Sequence, residues 1–220
     1  MGEHKSPLDP PIDRRGAAPT SAVLLAAGRS ERFGGGFGDL LKQLAEFRGE
    51  PLVRRAARTA LAADFAEILV VTGYHAEAVE AALQGLDVTF VRNPNWEEGQ
   101  STSVKAGLAR VDSASRAALF LPCDQPLLTA KILDRILGTY RETGGPIVLP
   151  AYGDRRGSPV LLARSLFPEL AKITGDTGGR QVIRRYPDAV VEVRLESEGP
   201  LVDVDTLEAL KRLGAATPEK

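Results

Sequence analysis

Short apolar runs that stop in glycine, asparagine or aspartate loops alternate along this chain with amphipathic stretches, and that rhythm restricts its fold more than any other feature. Ala22–Ala26 stops at Ala27-Gly28, Glu67–Thr72 at Gly73, Val88–Val91 at Asn93-Pro-Asn95, and Arg116–Leu121 at Pro122-Cys-Asp-Gln-Pro126. Pro146–Pro150 and Ser158–Ala163 flank the polar turn Gly153–Gly157, and Ala189–Leu195 is a last apolar run. Runs of this length between turn residues read as buried strands. Helical spacing covers Pro51–Ala63, His75–Leu83 with Gly85 as its stop, Ser101–Ala109, Thr129–Glu142 with Thr129 as N-cap, Gly178–Tyr186 and Asp205–Leu213. Strands alternating with helices predict an α/β fold with a largely parallel sheet covered on both faces. In such sheets ligands bind beyond the carboxyl ends of the strands, which points to the loops after Ala26, Thr72 and Leu121.

A length of 220 residues suits one large domain. The expected division is a disordered tail over 1–20, a single domain over 21–213 and a short tail over 214–220. The first 20 residues are rich in Pro and charge and lack the apolar core of a secretory signal. No apolar run approaches the roughly 18 residues needed to span a bilayer, so no membrane role is expected. The net charge of −1 argues against general binding of nucleic acid, and any phosphate must be met by a few placed cations. Cys123 is the single cysteine, which excludes an internal disulfide and fits a reducing, cytoplasmic compartment.

Five groups of residues carry candidate chemistry. The loop Leu25-Ala-Ala-Gly-Arg-Ser-Glu-Arg-Phe-Gly34 follows the first strand. Its small residues let backbone N–H groups approach phosphate oxygens, and Arg29, Arg32 and Lys42 supply positive charge. It lacks the Gly-Lys-Ser/Thr of a P-loop and the spacing of a dinucleotide fingerprint; alone, it also fits a flexible surface loop. Asp124, just past a strand, suits a hard cation such as Mg2+, or simply a turn or helix cap. Cys123 beside it reads as a packed residue, because no His lies in its motif. Asp203 and Asp205 share one side of an extended segment, so either is a candidate to complete a metal site, and Asp205 also fits the N-cap of the last helix. Asn93 to Ser103 forms a turn and a Ser/Thr-rich helix start suited to a base or ribose, although Ser101 or Thr102 also fits a cap. Arg155–Pro159 and Thr174–Arg180 are polar, Gly-rich and basic, fit for an anionic acceptor or for two exposed turns.

Taken together, these motifs resemble the molybdenum cofactor nucleotidyltransferase family with its NTP transferase domain, and more narrowly the cytidylyltransferase branch. The resemblance runs from about Ser21 to Leu213 and is carried by the Leu25–Gly34 loop, Lys42 before Gly49-Glu-Pro-Leu52, Val71-Thr-Gly73, Asn93-Pro with Gly99 and Ser103-Val-Lys-Ala-Gly107, Pro122–Pro126, Gly157-Ser-Pro159, Gly175-Asp-Thr-Gly178 and Asp203-Val-Asp-Thr206. It implies a Rossmann-like three-layer α/β/α sandwich of the nucleotide-diphospho-sugar transferase kind. The implied activity moves a nucleoside monophosphate, CMP from CTP, onto the terminal phosphate of the molybdopterin cofactor and releases pyrophosphate with Mg2+. The implied nucleotide site comprises Leu25, Ala26, Ala27, Gly28, Arg29, Ser30, Arg32, Lys42, Gly73, Asn93, Gly99, Ser103, Pro122 and Cys123. Arg32, Lys42 and Asp124 would be catalytic, Asp124 and Asp205 (or Asp203) would hold the metal, and Arg156, Gly157, Pro159, Asp176, Gly178 and Arg180 would meet the acceptor. A molybdenum hydroxylase or its chaperone is the implied partner, and a monomer or weak dimer the expected state.

The chain departs from the family pattern in the extra residues Gly35–Leu41, in Ser158 where many relatives carry His, and at Leu207 and Ala209. Transfer from GTP, an oxidoreductase reusing the fold for a pigment-like heterocycle, and a cofactor-delivery protein are the alternatives. Retention of Arg32, Lys42, Asp124 and Asp205 favours the transferase, because hydride transfer needs no metal-bound carboxylates.

Overall fold

A computed structural model describes residues 19–29, 33 and 41–216. In chain order the elements are β1 (Thr20–Ala26), β2 (Glu46–Phe47), β3 (Glu50–Pro51), α1 (Leu52–Leu61), β4 (Glu67–Thr72), α2 (Ala76–Ala82), β5 (Thr89–Arg92), α3 (Gln100–Leu108), β6 (Ala117–Pro122), α4 (Ala130–Thr143), β7 (Ile147–Tyr152), β8 (Arg155–Arg156), β9 (Val160–Ala163), α5 (Phe167–Leu170), α6 (Arg180–Arg185), β10 (Val190–Arg194) and α7 (Leu207–Ala216). The main sheet runs β10-β7-β9-β6-β1-β4-β5, with β8 paired to β7. β6, β1, β4 and β5 are mutually parallel, as are β10 and β7, whereas β9 is antiparallel to both neighbours.

Strand alternation builds the two cores. Ala22, Leu24 and Ala26 of β1 face one way and pack with Val53 and Ala57 of α1, Val79 of α2, and Leu133 and Ile136 of α4. Val23 faces the other way, with Val104 of α3, Leu170 of α5 and Val182 of α6. The result is a sheet with α1, α2 and α4 on one face and α3, α5 and α6 on the other. α7 lies outside this sandwich, where Leu210 and Val204 pack against Phe47 and Leu52.

The topology locates the crevice. From β1 the chain adds β4 and then β5 on one side, and then crosses back to place β6 on the other side of β1. The carboxyl ends of β1 and β6 therefore flank a topological switch point, where connections diverge and leave room for a ligand.

Several local expectations are corrected. Thr129 precedes α4 with extended backbone, but its side chain makes no capping bond. The last helix is capped by Thr206, whose Oγ1 accepts from Ala209 N–H at 3.1 Å, so Asp205 is not the cap. That helix continues to Ala216, past the expected boundary at 213. Thr102 does not cap α3: its hydroxyl donates to the carbonyls of Asn95 and Gly99 at 2.8 and 2.9 Å. Residues 1–18, 30–32, 34–40 and 217–220, Ser30 and Arg32 among them, lie outside the described residues, and with them most of the expected tails and most of the extra loop segment. Among the described residues no helix is long and apolar enough to cross a membrane.

Candidate active site

Three segments converge at the switch point. A 3-10 turn, Lys42–Leu44, follows the first loop. The chain after β6 carries Asp124, whose carbonyl accepts from Val204 N–H at 2.9 Å. That bond draws residues 203–205 alongside, although some eighty positions separate them in sequence. Lys42 Nζ then lies 2.7 Å from Asp124 Oδ2 and 3.1 Å from Asp205 Oδ1. Desolvation lowers the Lys42 pKa, but the Asp124 charge and the hydrogen bonds to both carboxylates outweigh it, and the net shift is upward. The ammonium is thus a fixed positive charge.

Asp203 takes a different place. Gln125 Nε2 donates to its Oδ1 at 2.8 Å. Desolvation and the nearby Asp124 charge raise its pKa, against the lowering effect of Gln125 and Arg155. Of the two candidates for a second acidic ligand, Asp205 is the one that joins Asp124 at Lys42.

Two carboxylates from separate segments, converging on one cation, form a donor set that fits a hard divalent ion. Among the described residues no group of three or more His, Cys, Asp or Glu side chains is arranged to hold a metal. A metal on Asp124 and Asp205 would therefore complete its shell with phosphate oxygens and water.

The glycine loop is open where a phosphate cradle needs to be. A Cβ built on Gly28 meets no atom of the described residues within 4 Å. Beneath the loop, Tyr74 N–H donates to Ala27 O at 3.0 Å. Arg29 lies 5.5 Å from the Tyr74 ring centroid, and Tyr74 leans on Trp96 at 5.0 Å. Gly73 allows this packing, since a Cβ there would sit 2.7 Å from Trp96 Cβ and 2.9 Å from Ala27 O. Leu25 and Ala26 belong to β1, with Ala26 in the core. Pro122 ends β6, and the Cys123 side chain is buried, its thiol pushed up to about 12 by desolvation and then by the Asp124 charge. It is a packed thiol rather than a nucleophile.

Asn93 and Ser103 stand one layer further in. Asn93 is buried, with Nδ2 donating to Thr102 and Ser103 hydroxyls at 2.9 and 3.0 Å and Oδ1 accepting from Asn95 N–H at 3.0 Å. Its amide is spent on shaping the turn ahead of α3. Gly99, at φ 104°, starts α3 so close to Gly175 that a Cβ would fall 2.8 Å from its carbonyl carbon. Asp176 Oδ1 accepts from Gln100 N–H at 3.1 Å, at the start of α3. Gly178 packs on Gln100, where a Cβ would meet its Oε1 at 2.5 Å. The 175–178 segment is thereby tied to α3.

Arg156, Gly157 and Arg180 line a cavity of about 260 Å3 together with Gln125, Asp203, Arg155 and Arg184. Asp176, Gly178 and Pro159 are not among its lining residues. Arg155 pairs with Glu198 at 2.5 Å and Arg156 with Glu192 at 2.6 Å. Arg180 and Arg184, one turn apart on α6, face the cavity with no salt-bridge partner among the described residues. Arg184, Gln125 and Gln43 were missed in the sequence reading, whereas Arg155 stood in the basic stretch named there. Arg180–Arg184 spacing was a usable signal; nothing local marked the two glutamines.

These features define an α/β nucleotide-binding protein with a lysine–dicarboxylate centre and a cationic side pocket. Residues 22–190 match the MobA-like NTP transferase domain, and the chain belongs to that family of nucleotidyltransferases. It is 34% identical over 201 residues to a nicotine blue oxidoreductase of Paenarthrobacter nicotinovorans, covering 88% of this chain and 95% of the relative. It is 26% identical over 186 residues to the molybdenum cofactor cytidylyltransferase of Escherichia coli K12, covering 84% and 90% respectively. Among solved structures, the Rv0371c complex with manganese from Mycobacterium tuberculosis H37Rv matches with TM-score 0.73 and 30% identity, covering 90% of this chain and all of that one.

Proposed function

We propose that this protein transfers CMP from CTP to the terminal phosphate of the molybdopterin cofactor, releasing pyrophosphate, in cofactor maturation for a molybdenum hydroxylase. The observation that carries the proposal is Lys42 held between Asp124 and Asp205 at the switch point. The backbone N–H groups of Ala27 through Ser30 hold the triphosphate, and Arg32, outside the described residues, neutralises the leaving pyrophosphate. Lys42 steadies the α-phosphate. Asp124 and Asp205 hold Mg2+, which supplies charge neutralisation to the triphosphate when bound. The attacking phosphate oxygen is already anionic, so the site needs no strong general base. In-line positioning and charge neutralisation are enough. Arg180 and Arg184, without a salt-bridge partner among the described residues, favour an anionic acceptor in the cavity beside this centre.

The likeness to a nicotine blue oxidoreductase supports a second reading, in which the loop holds a dinucleotide and the cavity a heterocycle. One assay separates the readings. The protein is incubated with Mg2+, molybdopterin and CTP, GTP or ATP, and pyrophosphate is measured. Release with CTP is expected. Release with GTP alone would replace cytidylyl by guanylyl transfer, and no release with any triphosphate would sink the transferase. NAD(P)H oxidation without pyrophosphate would establish the oxidoreductase. Binding of molybdopterin with neither reaction would mark a delivery protein.

A further inference from the structure

Gln43 sits beside Lys42 on the same 3-10 turn, yet its side chain points to the opposite partner. It is 2% exposed. Its Nε2 donates to the carbonyl of Gly28 at 2.5 Å and approaches the carbonyl of Ala26 at 3.4 Å. Its Oε1 is buried with no partner among the described residues. A buried amide left half-satisfied stabilises a fold poorly compared with an apolar side chain of the same size. Its position therefore calls for a role other than stability.

Peptide geometry supplies that role. A trans peptide is planar, so the N–H of one residue points opposite to the C=O of the residue before it. Tyr74 N–H holds the Ala27 carbonyl inward, which turns the Gly28 N–H outward. Gln43 holds the Gly28 carbonyl inward, which turns the Arg29 N–H outward. Two successive N–H groups then face the open space over Gly28, where no atom of the described residues lies within 4 Å of a built Cβ. Successive outward amides of this kind make an anion nest.

We infer that Gln43 is a positioning residue for triphosphate binding: it sets the peptide between Gly28 and Arg29 so that the Arg29 N–H meets a phosphate oxygen. It touches neither substrate nor metal. The same short turn delivers Lys42 to the carboxylates, so the loop's shape and the catalytic charge are set by one element. This inference rests on the triphosphate reading of the loop and is independent of which acceptor follows.

The test is calorimetry with Mg2+ and, in turn, CTP, GTP, their monophosphates and inorganic pyrophosphate, on the wild type, Gln43→Met and Gln43→Glu. Methionine keeps the length and removes the donor. Glutamate sets a carboxylate against a carbonyl. Both variants are expected to lose affinity for the preferred triphosphate and for pyrophosphate by about tenfold or more, the loss of one charge-assisted hydrogen bond. Monophosphate binding is expected to change little, so the ratio of triphosphate to monophosphate affinity collapses, which a loss of general stability would not produce. An unchanged ratio in folded Gln43→Met overturns the role of Gln43. A wild type with no preference for any triphosphate over its monophosphate overturns the triphosphate reading itself. In the wild type, the Gln43 side-chain amide protons are expected to exchange slowly with water by NMR. Fast exchange would overturn the proposal even if neither variant folds.

Discussion

On the side of the crevice that carries Lys42, each charge meets its opposite: the ammonium faces Asp124 and Asp205 at 2.7 and 3.1 Å. On the side that carries α6, Arg180 and Arg184 face a cavity with no salt-bridge partner among the described residues. The first side holds a geometry, with one ammonium fixed between two carboxylates and a glycine loop tied from below. The second suits an incoming charge, because guanidinium groups beside a cavity, without a salt-bridge partner among the described residues, offer bidentate sites for phosphate. On the proposed function, the difference separates a reaction centre, whose charges need fixed distances, from a docking pocket, whose charges need a vacancy.

Mutations on the two sides should fail differently. The largest effect is expected for Asp124→Ala, which removes one proposed metal ligand and the main partner of Lys42. Turnover should fall by about 10^3-fold or more, with circular dichroism unchanged, and near-normal activity at saturating Mg2+ would remove the metal from this centre. Next is the double variant Arg180→Ala with Arg184→Ala. Each lost charge-assisted hydrogen bond to an acceptor phosphate costs about 1.5–3 kcal/mol, so the acceptor KM should rise steeply while the CTP KM stays. Equal loss on both substrates would erase the contrast between the two sides. Gly28→Ala sharpens it further: the Cβ meets no atom of the described residues within 4 Å, so Tm should hold while triphosphate affinity drops by about tenfold, as expected if the methyl displaces one phosphate contact. A drop in Tm without loss of binding would mean that the loop is structural.

The smallest effect is expected at the ion pair between α2 and β5. Glu80 accepts from Arg92 at 2.9 and 2.8 Å and from Thr72 at 3.0 Å, and the Arg92 hydrogen bond leads in holding its carboxyl below the ordinary value of 4.5. A carboxyl whose folded pKa is depressed contributes stability above the unfolded pKa and loses it as pH falls through the folded one. Tm measured from pH 6 downward should therefore fall slightly less in Glu80→Gln than in the wild type once the pH passes below about 4.5. Identical slopes would mean that this exposed pair contributes nothing measurable.

Much of this was readable in the chain itself. The unbroken apolar runs at Ala22–Ala26 and Glu67–Thr72 are local patterns, and burial on both faces of a parallel sheet leaves few other ways to read them. The loop after β1 and the aspartate after β6 were likewise visible, because a residue just past a buried strand is placed by the strand alone. The sequence was silent on β9 running antiparallel, since direction leaves no mark in an apolar tetrapeptide. It named Asn93 and Ser103 as ligand groups, and it was silent on the contacts with Thr102, Ser103 and Asn95 that hold the Asn93 amide in the folded chain.

What the sequence determined alone was the set of elements and the residue types at their carboxyl ends. Tertiary structure decided which of them meet. A bond between Val204 N–H and the Asp124 carbonyl, across eighty positions, selects Asp205 over Asp203 for the Lys42 centre and sends Asp203 to Gln125. Gln43, indistinguishable in sequence from any surface glutamine, becomes a support for the glycine loop because the chain folds back beneath it. Local spacing specifies which side a residue faces; only the packed chain specifies what stands there.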